Sequence, residues 1–176
     1  KLVFNNIHLP TLRQILADSS SHLMTLADFP AFVHGDLCLS NILYDSRMRT
    51  IKLNDPRGVD ENGRQMIYGS QLYDIAKLAH SILGLYDHIV AGQYELSVVG
   101  KFFYFRIFYA DDVEETQRAF RQHCFVPGLN TAMIEKTLPL LFIAMLPLHV
   151  DSASRQTALL ANAMRLYAEA FHDKLR

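Results

Sequence analysis

Three short polar side chains interrupt the most strand-like part of the chain. Residues 32–45 read FVHGDLCLSNILYD, and residues 51–58 read IKLNDPRG. Asn41 follows Asp36 by five residues, and Asp55 follows Asn41 by fourteen. The runs AFVH, NILYD and TIKLND are short and rich in β-branched or aromatic residues, and the SRMR between the last two is a connection of hairpin length. Pairing 42–44 with 51–53 brings Asp55 back to the end of the ribbon where Asn41 sits. Taken singly, Asp36, Asn41 and Asp55 read as turn residues. Together they place two carboxylates and an amide at one edge of whatever the rest of the chain builds.

The rest reads as helix. Leu12, Ile15, Leu16, Leu23 and Leu26 predict a helix over 11–27, stopped by the DFP at 28–30. After a polar loop over 58–69, Leu72, Ile75, Ala76, Ala79, Ile82, Leu83 and Tyr86 form the apolar stripe of a long helix. The aromatic run YELSVVGKFFYFRIFYA fits a hairpin around Gly100 or one long helix; the helix is the expectation here, with Phe102, Phe103, Tyr104, Phe105, Phe108 and Tyr109 in the core. Asp111 or Asp112 is expected to cap the next helix, with Glu115 completing a capping box. Asn130 or Thr131 starts an apolar helix to Leu146, kinked near Pro139. Ser152 or Ser154 caps the last one. The predicted fold class is therefore α+β, mostly α: one domain over 1–176, a helical body with a small β-hairpin insertion.

Composition removes several functions. A formal net charge of -1 favours neither nucleic acid nor an anionic membrane surface. The most apolar stretch, LPLLFIAMLPL at 138–148, is shorter than the roughly 18 residues a span requires, so no membrane span is expected. Cys38 and Cys124 have no metal-ligand spacing and are too few for a disulfide framework, which points to a reducing compartment, the cytoplasm. His80, His88, His123, His149 and His172 are read as surface or hydrogen-bonded core residues, with His149 and Asp151 as lesser candidates for a substrate pocket. The chain begins at Lys1 rather than Met, and a longer protein is expected.

Two carboxylates and an amide at one edge suit phosphoryl transfer. That reaction needs a hydroxyl aimed at a phosphorus atom and divalent metal held against phosphate oxygens. A carboxylate orients the hydroxyl and takes its proton, a role for Asp36. Magnesium prefers oxygen ligands, one or two of them from protein, which Asn41 and Asp55 can supply.

HGDLCLSN resembles the catalytic loop, H-G-D-x-x-x-x-N, of the aminoglycoside phosphotransferase and choline kinase group of kinase-like enzymes. NILYD followed by IKLNDPRG resembles the hairpin and metal-binding segment that follow it in that group, and YDIAKL at 73–78 resembles the next helix start. The resemblance implies a kinase-like C-terminal lobe and ATP as phosphoryl donor. It implies Asp36 as catalytic base, Asn41 and Asp55 as Mg2+ ligands, and His34 and Asp74 as structural supports of the loop. The acceptor would be a small-molecule hydroxyl on a sugar, amino sugar, aminoglycoside or amino alcohol. Two departures stand out. Asp55 is followed by Pro-Arg-Gly, which stiffens the segment and adds Arg57 as a candidate contact for phosphate or substrate. A glycine-rich phosphate loop and a strand lysine are absent from the sequence, so the resemblance implies an N-terminal lobe as partner. The competing expectation is a non-catalytic nucleotide-binding or regulatory kinase-like module.

Overall fold

The computed structural model describes residues 2–26, 29–60 and 62–171. Strands β1 (Leu2–Phe4) and β2 (Ile7–Leu9) open the chain, and helix α1 (Leu12–Leu23) follows, capped by the Thr11 hydroxyl accepting from the Gln14 N–H. Next come β3 (Pro30–Phe32), a 3-10 turn over Leu39–Asn41, and the hairpin β4 (Ile42–Asp45) and β5 (Thr50–Leu53). Strand β6 (Tyr68–Ser70) runs directly into α2 (Gln71–Ile82), followed by the short α3 (Tyr86–Val90) and a second hairpin, β7 (Tyr94–Val99) and β8 (Phe102–Ile107). Among the described residues four more α-helices follow: α4 (Asp111–Gln122), α5 (Thr131–Glu135), α6 (Leu138–Ala144) and α7 (Ala153–Phe171). No described helix is long and apolar enough to cross a membrane.

With about 47% helix and 20% strand, the fold is α+β, and its β-structure extends beyond one insertion. The run expected to be a helix around Gly100 is the hairpin β7–β8, paired from Tyr94↔Ile107 to Val99↔Phe102. Two physical reasons favour the strands. Exposure alternates along β8, with Phe102 and Tyr104 outward and Phe105 and Ile107 buried, a period of two. Strand β8 also pairs in parallel with β1, giving a four-stranded sheet of order β2-β1-β8-β7. Gly100 turns the hairpin at φ +59°, a conformation glycine adopts without penalty. Of the aromatic run, Phe102, Tyr104, Phe108 and Tyr109 are exposed rather than in the core.

The helix boundaries differ as well. Helix α4 starts after Ala110 with no side-chain cap, and Asp111, Asp112 and Glu114 instead sit in its first turn against the helix dipole. The single helix expected from residue 130 is two helices. Pro139 lies in the first turn of α6 and so begins a helix rather than kinking one, while Asn130 caps α5 through the Ala132 N–H. Ser152 accepts from the Arg155 N–H at the start of α7. Ala27, Asp28 and His172 lie outside the described residues.

The core gathers on α7. Its Ala158, Leu159, Ala161, Ala163, Met164, Leu166 and Ala168 are all buried, and α6, with its fully buried Phe142, packs against it. The C-terminal end of α2 is fastened from outside. Ile82 O accepts from Gln117 Nε2, Leu83 O from Arg165 Nη2, and Gly84 O from the fully buried Asn162 Nδ2 at 2.6 Å. These bonds satisfy carbonyls that the end of a helix leaves open. At the other end, β6 pairs antiparallel with β3, so the strand leading into residues 33–41 and the strand leading into α2 are held side by side.

Candidate functional site

Residues 33–41 leave β3 and lie along one polar stripe of α2. Asp74, Lys77 and Ser81 stand at i, i+3 and i+7, a spacing that aligns them on one helix face. Each meets a successive part of the loop. The Asp74 carboxylate accepts the His34 N–H at 2.7 Å through Oδ2 and the Gly35 N–H at 2.8 Å through Oδ1. The Lys77 ammonium lies 2.8 Å from Asp36 Oδ1. Ser81 Oγ accepts the Leu39 N–H at 3.1 Å. Asp74, Lys77 and Ser81 are all buried.

His34 ties the loop to the far side of the hairpin. Its Nδ1 accepts the Asp36 N–H at 3.3 Å, which leaves Nε2 to carry the proton and donate to Asn54 O at 2.9 Å. The His34 carbonyl accepts from the Arg57 N–H. Gly35 has φ +78°, and a Cβ there would sit 2.8 Å from Arg57 Cβ, so only glycine lets the 55–58 segment lie this close.

The hairpin register is Ile42↔Leu53 through Asp45↔Thr50. One step further out, the Asn54 N–H donates to Asn41 O at 2.9 Å, so Asn41 and Asp55 stand at the same open end. Asn41 Nδ2 donates to Asp36 O at 2.9 Å and to Asp36 Oδ2 at 3.2 Å. Both Asp36 oxygens are therefore held, Oδ1 by Lys77 and Oδ2 by Asn41, while the side chain stays 40% exposed. Asp36, Asp55, Arg57, Tyr73 and Lys77 line one open cleft of about 560 Å³, whose apolar wall is Leu141, Met145 and Leu148. Asn41 does not line this cleft and reaches it through Asp36. A second groove of about 350 Å³ between Leu26, Leu72, Ala76 and Ile134 carries no charged side chain.

The donor set suits a hard cation. Asp36, Asp55 and the Asn41 amide oxygen are all oxygen donors, and Asn41 Oδ1 accepts no hydrogen bond among the described residues. No group of three or more His, Cys, Asp or Glu side chains that could hold a metal occurs among the described residues.

Asp55 has φ 55°, in the left-handed region, and it precedes a proline. Such a backbone costs about 1–2 kcal/mol for most residues and little for glycine. Asp55→Gly should therefore raise the melting temperature, and Asp55→Ala should lower it. Equal melting temperatures for the two variants in thermal unfolding would mean that the strain is not real.

Two features escaped the sequence reading, and a third, around the candidates His149 and Asp151, was read only in part. Lys77 and Ser81 were part of an apolar helix, and only the i, i+3, i+7 alignment with Asp74 distinguishes them. His80, expected to be exposed or bonded, is fully buried with neither ring nitrogen hydrogen-bonded among the described residues. It stacks against Tyr86 and Phe142, and burial, reinforced by the charge of Lys77 and by His149, lowers its pKa to about 3. Beside it, Tyr86 Oη lies 3.1 Å from His149 Nε2, and Arg155 joins His149 to Asp151. Burial raises the pKa of the Tyr86 phenol, and the neighbouring Asp87 carboxylate raises it further. Burial, with Arg155 next, lowers His149.

Comparison with protein-family models finds no match, and comparison with curated proteins and with solved structures finds none either.

Proposed function

We propose that this chain carries the catalytic loop of an ATP-dependent phosphotransferase of the aminoglycoside phosphotransferase and choline kinase type. The acceptor is a hydroxyl on a sugar, amino sugar, aminoglycoside or amino alcohol. One observation supports this above the rest: Asp36, clamped on both oxygens yet open to solvent, faces the same cleft as Asp55, while Asn41 holds Asp36 from the hairpin. In this reading Asp36 orients the acceptor hydroxyl and takes its proton as the oxygen attacks the γ-phosphorus. Asn41 and Asp55 hold magnesium, whose charge offsets that of the phosphate oxygens. Arg57 meets a phosphate or an anionic part of the acceptor. His34 and Asp74 keep the loop in the shape that presents Asp36.

The test is calorimetric titration of the full-length protein with ATP, in magnesium and in EDTA. Asp55→Ala should weaken the magnesium-supported binding by about tenfold, in the range of losing one metal ligand or its support. Asn41→Ala should weaken it less, because a neutral amide gives the cation less charge. Binding in EDTA should be nearly unchanged in both. Nucleotide binding indifferent to magnesium, or to Asp55, would remove the metal role. Magnesium-supported binding without turnover on any hydroxyl acceptor would favour a regulatory nucleotide-binding module instead.

A further inference from the structure

The stripe on α2 contains one member whose presence is hard to explain by stability. Lys77 is 8% exposed, and Asp36 is the hydrogen-bonding partner that the structure gives it. Removing an ammonium from water costs several kcal/mol, and a buried ion pair seldom regains more than that. An apolar side chain at this position would suit the helix interior better. The benefit must lie in what the ammonium does to Asp36.

We propose that Lys77 is a positioning residue of the catalytic loop: it fixes the Asp36 carboxylate in the orientation that presents it to the acceptor hydroxyl. This rests on the phosphotransferase reading above. A carboxylate turns about its terminal bond unless it is held at two points. Lys77 Nζ holds Oδ1 from the helix at 2.8 Å, and Asn41 Nδ2 holds Oδ2 from the hairpin at 3.2 Å. Each oxygen keeps a further lone pair for the hydroxyl. In the transfer step the acceptor O–H proton passes to Asp36, the acceptor oxygen forms its bond to the γ-phosphorus, and the bond from that phosphorus to the leaving ADP oxygen breaks. Lys77 takes no proton and forms no bond in this step. Its ammonium is carried by the same helix that fixes residues 34 and 35 through Asp74, so the carboxylate and the loop backbone share one rigid reference.

The experiment measures magnesium-dependent ADP release from ATP by the full-length protein, using a panel of hexoses, hexosamines, aminoglycosides and amino alcohols as acceptors. Lys77→Met should lower kcat by about 10- to 100-fold, the scale of a displacement of roughly 1 Å in a reacting group. The KM for ATP should stay within about twofold, since Lys77 does not hold the nucleotide. Lys77→Arg keeps the charge but moves it, and its kcat should fall between those of the wild type and Lys77→Met. In an Asp36→Asn background the Lys77→Met change should cost little more, because its effect passes through Asp36. A crystal structure of Lys77→Met should show the Asp36 carboxylate turned from its present orientation. If Lys77→Met fails to fold, the kcat deficit of Lys77→Arg at unchanged KM carries the test. A wild-type kcat in either variant, or a Lys77→Met loss that persists in full without the Asp36 carboxylate, would overturn the inference alone. No turnover by the wild type on any acceptor would overturn the phosphotransferase reading and the inference with it.

Discussion

Asp36→Asn in the full-length protein is expected to lower kcat for phosphoryl transfer by about 100- to 10,000-fold, the usual contribution of a positioned base. The amide keeps the shape of the carboxylate and can still accept from Lys77 through its oxygen. What it cannot do is take the acceptor's proton. Its NH2 would also face Asn41 Nδ2, donor against donor, where the carboxylate now accepts at 3.2 Å. Asn41 must then turn its amide over and bring Oδ1 towards residue 36. A higher magnesium requirement should therefore accompany the kcat loss, with ATP affinity little changed once magnesium is saturating. Steady-state kinetics over a range of magnesium concentrations read both effects. A variant with near wild-type kcat would take Asp36 out of the chemistry, and a lost kcat with an unaltered magnesium requirement would show that Asn41 is not a ligand.

The second large effect is on folding rather than catalysis. In the native protein the His80 ring is held neutral, its pKa lowered from 6.5 to about 3 by burial first and then by Lys77 and His149. In the unfolded chain it titrates normally. Between those two values the unfolded state binds the extra proton, so stability rises with pH there. The stability His80 provides is complete above pH 6.5 and drains away as the pH falls towards 3. At about 1.4 kcal/mol per pH unit, the loss by pH 5 is about 2 kcal/mol. Carboxylates titrate in the same range, so the difference between two proteins is the useful quantity. Urea unfolding of His80→Leu should show a shallower decline between pH 6.5 and pH 5 than the wild type. Parallel declines would mean that the ring is not buried neutral.

Much of the site's frame could be read from residues 32–55 because hairpin register is a local property. Short β-branched or aromatic runs, a four-residue connection and polar ends leave few pairings, so Asn41 and Asp55 could be placed together without a structure. What escaped the sequence depends on distant partners. The strands around Gly100 satisfy either period; the deciding neighbour is β1, about a hundred residues earlier, and Asn5 just after it bonds both the N–H and the carbonyl of Phe105. Lys77 is invisible as a site residue until Asp36 is known to lie beside it, since a lysine in a helix ordinarily points to solvent. His80 presents the same difficulty in reverse. Its burial is set by Phe142 of α6 and Tyr86 of α3, neither of which the sequence places beside it.

The fastening of α2 at both ends makes the site mechanically one-sided. At its start, β6 is bound to β3; at its finish, side chains of α4 and α7 grip its last carbonyls. A helix so held cannot slide or rotate without breaking several bonds together, one of them the fully buried Asn162 contact. Across the cleft, β5 and the segment through Gly58 are exposed throughout and joined to the loop by few bonds, among them the His34 ring on Asn54 O and the Arg57 N–H on the His34 carbonyl. Compliance concentrates where buried contacts are fewest. Opening and closing about a ligand would then be a swing of Asp55 and Arg57 against a stationary Asp36. On the proposed phosphotransferase reading, Asp36 becomes the fixed jaw and the segment carrying Asp55 and Arg57 the moving one.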